Sequence, residues 1–194
     1  MEPRILFTKA WQVVEAFPDL ADDIGRPPGD EAPLDFARGL LANPSRFDAI
    51  VYLAHVLPRR EAVWWGCQCL RAIGADAADA ALLAAEAWVR GPAEETRRAA
   101  LALAAPRLLG KAPTWLAMAA GQSGGSIARE GAHPAPAPPQ ATALAVKAAV
   151  ILAIAQSPQP MQKAWLRACV EAGIRFAEGG EAKVAPPPRP PTAR

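Results

Sequence analysis

The sequence holds few of the residues that build metal or redox sites, with three cysteines and two histidines among 194 residues. An odd number of cysteines does not suggest a disulfide framework. Cys67 and Cys69 lie two positions apart, and residues with that spacing on a helix point about 200° away from each other. Cys169 is distant in the chain, and His55 and His133 are the histidines left to complete a ligand set. We therefore predict buried free cysteines, no metal site and no cofactor.

Neither sign of charge is in large excess, since the formal net charge is +2. Residues 180–194 hold three basic residues and one acidic residue, which leaves 18 of each sign in the rest of the chain. Binding of nucleic acid needs a concentrated positive face. The neutral body therefore argues against nucleic acid as a partner.

The chain has no apolar run long enough for a membrane helix, which takes about 20 residues. Its most apolar stretch extends from Ala143 to Ala155 and is interrupted by Lys147. The first residues lack the basic region, apolar core and cleavage site of a signal peptide. We expect a cytoplasmic protein that does not contact a membrane.

Alternating runs of Val and Ile, the pattern of strands, are missing, whereas alanine, the best helix former, is abundant. We predict an all-α fold, a compact multi-helix bundle of about eight or nine antiparallel helices. A single domain is expected over residues 1–179, with an irregular segment at 18–32 and a Gly- and Pro-rich loop at 121–140. A disordered proline-rich tail is expected over residues 180–194. The predicted helices span residues 8–17, 33–42, 45–57, 58–73, 76–90, 92–109, 113–120, 141–156 and 160–177.

The helix predicted over residues 45–57 has polar side chains at helical spacing. Asp48, Tyr52 and His55 fall at i, i+4 and i+7, so we expect them to form one solvent-facing stripe. Spacings of four residues also predict two ion pairs in later helices, Glu86–Arg90 and Glu94–Arg98.

The segment from Pro58 to Leu70 has the most unusual composition in the chain, with two adjacent tryptophans beside arginines. On a helix, Trp64 shares one face with Glu61, Gln68 and Arg71, whereas Trp65 falls on the apolar side. A large aromatic residue beside Arg and Glu is common in protein interfaces. The alternative is that another segment, such as residues 18–32, covers Trp64. The predicted partner-binding residues are Arg59, Arg60, Glu61, Trp64, Gln68 and Arg71.

A second hypothesis is an enzyme or a secreted effector with a site near His55, Arg59, Arg60 and Glu61. His55 has the chemistry of a general base, but no convincing nucleophile accompanies it. Residues 123–126, Ser-Gly-Gly-Ser, lack the Lys-Ser/Thr ending of a phosphate-binding loop, and we expect a flexible hinge there.

The stretch LAHVLPRREAVWWGC, residues 53–67, resembles the signature of an uncharacterised family of small alanine-rich helical bacterial proteins. The resemblance continues at residues 86–89, 115–120 and 122–126, and covers about residues 8–178. It implies an association with type VI secretion genes, and it implies no activity, cofactor or catalytic residue.

These observations favour a non-catalytic helical protein that binds another protein, as an accessory or adaptor in a secretion system. A self-assembling structural subunit is the third hypothesis. The sequence leaves the identity of the partner and the oligomeric state open.

Overall fold

The computed structural model describes residues 3–42, 47–104, 110–129 and 131–188. Within these residues the chain has ten α-helices, one turn of 3-10 helix at Gln159–Met161 and no strand. The all-α prediction is confirmed, and the additional helix is α2, a single turn inside the segment that we predicted to be irregular. The helices are α1 (Ala10–Ala16), α2 (Leu20–Asp23), α3 (Pro33–Leu40), α4 (Asp48–Val56), α5 (Arg59–Ile73), α6 (Ala80–Arg90), α7 (Glu94–Leu103), α8 (Ala112–Gly121), α9 (Ala141–Gln156) and α10 (Gln162–Ala177).

Helix α4 is the centre of the molecule, and every one of its residues is buried. It packs against α2, α3, α9 and α10 as well as against its sequence neighbour α5. The solvent-facing stripe that we predicted on this helix is therefore wrong. Asp48 accepts a hydrogen bond from the Gly25 amide at 2.8 Å, and the Tyr52 hydroxyl donates to the Ala10 carbonyl at 3.1 Å. These partners satisfy the polar groups inside the protein, so water is not needed.

Helices α8 and α9 form the other half of the core together with α5. The observed bounds of α9 coincide with the predicted ones. Its alanines bring neighbouring helices close: Ala145, Ala149 and Ala153 are all buried. Small side chains allow this approach because they occupy little of the space between helix axes.

Helix α10 packs tightly against α5 at Gly173. A Cβ atom added to Gly173 would lie 2.8 Å from the Nε1 atom of Trp65 and 3.1 Å from the Cδ1 atom of Leu53. Trp65 is fully buried, and its Nε1 donates to the Cys169 carbonyl one turn earlier in α10, at 2.9 Å. The prediction that Trp65 belongs to the core is confirmed.

Two arginines of α7, Arg97 and Arg98, hold the loop between α8 and α9. Arg97, which is buried, donates to the carbonyls of Gly121 at 2.5 Å and Ser126 at 3.0 Å. Arg98 donates to the Ala128 carbonyl at 2.6 Å. Charged donors thus bind carbonyls on both sides of the glycines in the predicted hinge at residues 123–126.

The packed part of the chain extends beyond residue 179. Ala182 and Val184 are buried against the helices, and Arg175 donates to the Lys183 carbonyl at 2.6 Å. These residues fall in the predicted tail, so its expected start at residue 180 is too early. Residues 189–194 of that tail lie outside the described residues.

Candidate functional site

Helix α5 carries the six residues predicted to bind a partner. It begins after Pro58 and ends at Gly74, whose φ of 111° lies in the left-handed region that favours glycine. Glu61, Trp64, Gln68 and Arg71 are partly exposed, whereas the other positions from 62 to 70 are buried. The predicted single polar stripe on this helix is confirmed.

Trp64 lines a surface concavity of about 270 Å³. Residues 18–32, which we considered as a cover for Trp64, do not line it. The ends of α6 and α10 do, so three helices contribute to one concave face. We call the lining set the Trp64 surface: Arg60, Glu61, Trp64, Val89, Arg90 and Phe176.

Several contacts hold the side chains of the Trp64 surface in place. The Nε atom of Arg60 donates to the Val89 carbonyl at 2.7 Å and ties the start of α5 to the end of α6. The guanidinium group of Arg4 lies over the Phe176 ring, 4.3 Å from its centroid. Arg4 also donates to the Phe176 carbonyl at 2.5 Å. These cation–π and hydrogen-bond contacts fix an aromatic side chain beside Trp64.

The buried carboxylate of Glu86 holds two arginines, Arg71 of α5 and Arg90 of the Trp64 surface. Glu86 is 5% exposed and accepts two hydrogen bonds from Arg71, at 2.8 and 3.1 Å, and one from Arg90 at 2.9 Å. Burial alone would raise the pKa of Glu86, but the hydrogen bonds and charges of the two arginines outweigh it and lower that pKa. The predicted ion pair of Glu86 with Arg90 is confirmed. Arg71 is thus a structural partner of Glu86, a role that the α5 sequence alone did not reveal.

Arg59 points to a different part of the molecule. It donates to the carbonyls of Ser123 at 2.8 Å and Pro139 at 3.3 Å, near the two ends of the α8–α9 loop. It also lines a second cavity, of about 320 Å³, together with His55. The second hypothesis expected one site near four residues, but the structure divides them. His55 and Arg59 line this second cavity, whereas Arg60 and Glu61 line the Trp64 surface.

The cysteines are buried thiols, as predicted. Burial raises the pKa of the Cys67 and Cys69 thiols, which keeps them protonated and weakly reactive. Among the described residues, no three His, Cys, Asp or Glu side chains lie together in a way that could hold a metal ion. Within the same residues, no helix is both long enough and apolar enough to cross a membrane.

Over the described residues the fold defines a class, an all-helical domain of packed helices. Within that class, the chain belongs to DUF6931, a family of unknown function, which matches residues 36–177. The matched range begins in α3 and contains α5 entire and all six members of the Trp64 surface. No curated protein matches the chain, and no solved structure does.

Proposed function

We propose that this protein is a non-catalytic helical module that binds another protein through the Trp64 surface. The observation that carries the proposal is a partly exposed tryptophan in a concavity between two arginines, with a second aromatic ring beside it. Tryptophan and arginine are the residue types most enriched in the energetic centres of protein interfaces.

The contacts within the surface indicate what the partner offers. One N–H group of Arg60 is used by the Val89 carbonyl and one of Arg90 by Glu86, so most of the five donors of each guanidinium remain. Both groups are therefore positioned but still able to bind a carboxylate. We expect the partner to insert one apolar side chain against Trp64 and Phe176 and to place an acidic group beside it.

The biological setting that we propose is an adaptor or accessory role in a type VI secretion system. The support for this setting is the resemblance of residues 53–67 to a family associated with such genes. The test is affinity capture from a bacterium that carries both the gene of this protein and type VI secretion genes. Capture of a secretion component would support this setting, and capture of unrelated proteins alone would remove it.

The binding proposal is tested by affinity capture from native lysate, read by mass spectrometry. Trp64→Ala and Arg90→Ala are the test variants, since Arg90→Ala leaves Glu86 with both hydrogen bonds from Arg71. Trp11→Ala is the matched control, because Trp11 is 40% exposed and lies outside the Trp64 surface. We expect the two test variants to lose a protein that wild type and Trp11→Ala retain, with circular dichroism showing that all four are folded.

A second copy of the chain is one possible partner, in line with the self-assembly hypothesis. Light scattering distinguishes a second copy from a different protein. If the wild type is a dimer and Trp64→Ala is a monomer, the partner is a second copy of the chain. Equal capture by all four folded proteins would refute binding through this surface.

A further inference from the structure

The cavity beside His55 is separate from the Trp64 surface and has a different chemistry. It lies where the N-terminal segment and the end of α1 meet the end of α4 and the start of α9. Its volume of about 320 Å³ is at the lower end of the range for small-molecule pockets, roughly 300–1,000 Å³. Its walls are mostly apolar, with Phe7, Phe17, Leu57 and Ala143 among them.

The imidazole of His55 gives this apolar cavity a defined polar group. His55 is 4% exposed, and its Nδ1 lies 2.8 Å from the Val51 carbonyl oxygen. A carbonyl oxygen only accepts, so Nδ1 carries the hydrogen. Burial lowers the pKa of His55, which keeps the ring neutral near pH 7. In the neutral ring the other nitrogen, Nε2, is therefore a hydrogen-bond acceptor.

His55 lines the cavity, and its hydrogen bond within the described residues is made at Nδ1, not at Nε2. Over the described parts of the chain, every side-chain nitrogen or oxygen that is sealed from solvent has a hydrogen-bond partner. The hydrogen bond of the His55 ring is the one at Nδ1; the Phe17 ring lies 5.2 Å away, and the charges of Lys147 and Asp23 act on the imidazole from outside the cavity lining. Since Nε2 has no partner and His55 lines the cavity, Nε2 is accessible through it.

The other polar side chains that line the cavity, Thr142 and Arg59, each bind carbonyl groups of the chain. The Thr142 hydroxyl donates to the Ala119 carbonyl at 3.3 Å, and Arg59 donates to the two loop carbonyls. A ligand therefore meets one neutral acceptor within apolar walls. An anion would lose hydration among the apolar walls, whereas Arg59 is exposed to solvent and has two of its N–H groups on carbonyls, so it offers only a screened attraction in exchange. A hydrocarbon would leave the acceptor unpaired.

We propose that this cavity binds a small, uncharged, apolar molecule that carries one hydrogen-bond donor, a hydroxyl or a ring N–H group, and that the donor binds Nε2 of His55. The apolar body occupies the space between the rings of Phe7 and Phe17 and the side chain of Ala143.

Three matched probes test the chemistry: phenol, which has a donor; toluene, which has none; and benzoate, which is charged. Dissociation constants are measured by calorimetry on the full chain. We expect phenol to bind about tenfold more tightly than toluene, the ratio expected for one hydrogen bond that is otherwise left unmade. Benzoate should bind more weakly than phenol. Equal affinity for phenol and toluene, or tighter binding of benzoate, would overturn the proposal.

The position of the site is tested in the wild-type protein and in one variant. In ¹⁵N spectra of the imidazole rings, phenol should shift the Nε2 signal of His55 and leave His133 unchanged. Ala16→Phe places a ring at the cavity mouth from an exposed position on α1, so it should fold and weaken phenol binding at least tenfold. Unchanged His55 signals, or wild-type affinity in Ala16→Phe, would show that phenol binds elsewhere and would refute the site.

Discussion

The close approach of α10 to α5 predicts opposite effects for the same substitution at two glycines. Gly173 lies in α10 against the buried ring of Trp65, where a new methyl group would sit 2.8 Å from Nε1. Gly39 lies in α3 on the surface, where the nearest atom to a new methyl group is Nη1 of Arg26 at 3.5 Å, an ordinary contact. Both changes replace a helical glycine by alanine, so their difference isolates the packing at Trp65.

The magnitudes follow from this geometry. Alanine in place of glycine stabilises a helix by about 0.5–1 kcal/mol, and we expect Gly39→Ala to raise the free energy of unfolding by up to that amount. At Gly173 the overpacking of a rigid ring costs about 1–3 kcal/mol. Displacement of the ring also weakens the Trp65–Cys169 hydrogen bond, worth about 1 kcal/mol. Gly173→Ala should therefore lower the free energy of unfolding by roughly 1–3 kcal/mol.

The assay is urea unfolding followed by circular dichroism, with thermal melts alongside. A domain of this size changes its melting temperature by about 2–4 °C per kcal/mol, so the two variants should separate in opposite directions from wild type. Gly66→Ala should fall between them, because the atom that it meets at 2.6 Å is the end of the flexible Leu116 side chain. A Gly173→Ala protein as stable as Gly39→Ala would refute the packing described for α5 and α10.

Two further predictions concern buried polar groups. Because burial lowers the pKa of His55 below its ordinary 6.5, the unfolded chain takes up a proton at a pH where the folded protein does not. The free energy of unfolding should therefore fall as the pH drops below about 6.5. His55→Phe should flatten this dependence in urea titrations between pH 5 and 7.5, and His133→Phe should leave it intact. Arg97→Met should speed amide hydrogen exchange in residues 121–128 by about tenfold, the ratio for one lost hydrogen bond. The control is Arg167→Met, which changes an exposed arginine. Exchange in residues 121–128 that is no faster in Arg97→Met than in Arg167→Met would contradict the anchoring role of Arg97.

The sequence predicted helices well where local signals sufficed. Pro58 and Gly74 define the ends of α5, and the uninterrupted helical stretch of α9 has the predicted bounds. Periodicity failed for α4, because Asp48 and Tyr52 find their partners at Gly25 and Ala10. Those partners lie more than 20 residues away, and spacing within one helix cannot reveal them.

The residues of the candidate site also fall into those that helical spacing predicts and those that only the tertiary packing reveals. The face shared by Glu61, Trp64 and Arg71 follows from helical spacing, and it was predicted. Phe176 was missed, since no local pattern connects the end of α10 to the start of α5. The prediction that Arg59 and Arg71 bind a partner stays a prediction, and the structure adds contacts that the sequence did not reveal, with the α8–α9 loop and with Glu86. Long arginine side chains reach across neighbouring helices, so their partners become known only with the tertiary packing.

Hydroxyl-radical footprinting of the captured complex shows at the level of single residues whether the partner binds through the Trp64 surface. The rate of oxidation is measured at Trp64 and Trp11, in the free protein and in the complex. We predict that complex formation slows oxidation of Trp64 several-fold and leaves the rate at Trp11 unchanged. Equal rates at Trp64 in the free and bound protein would show that the partner does not cover Trp64, and protection of Trp11 instead would place the interface near α1.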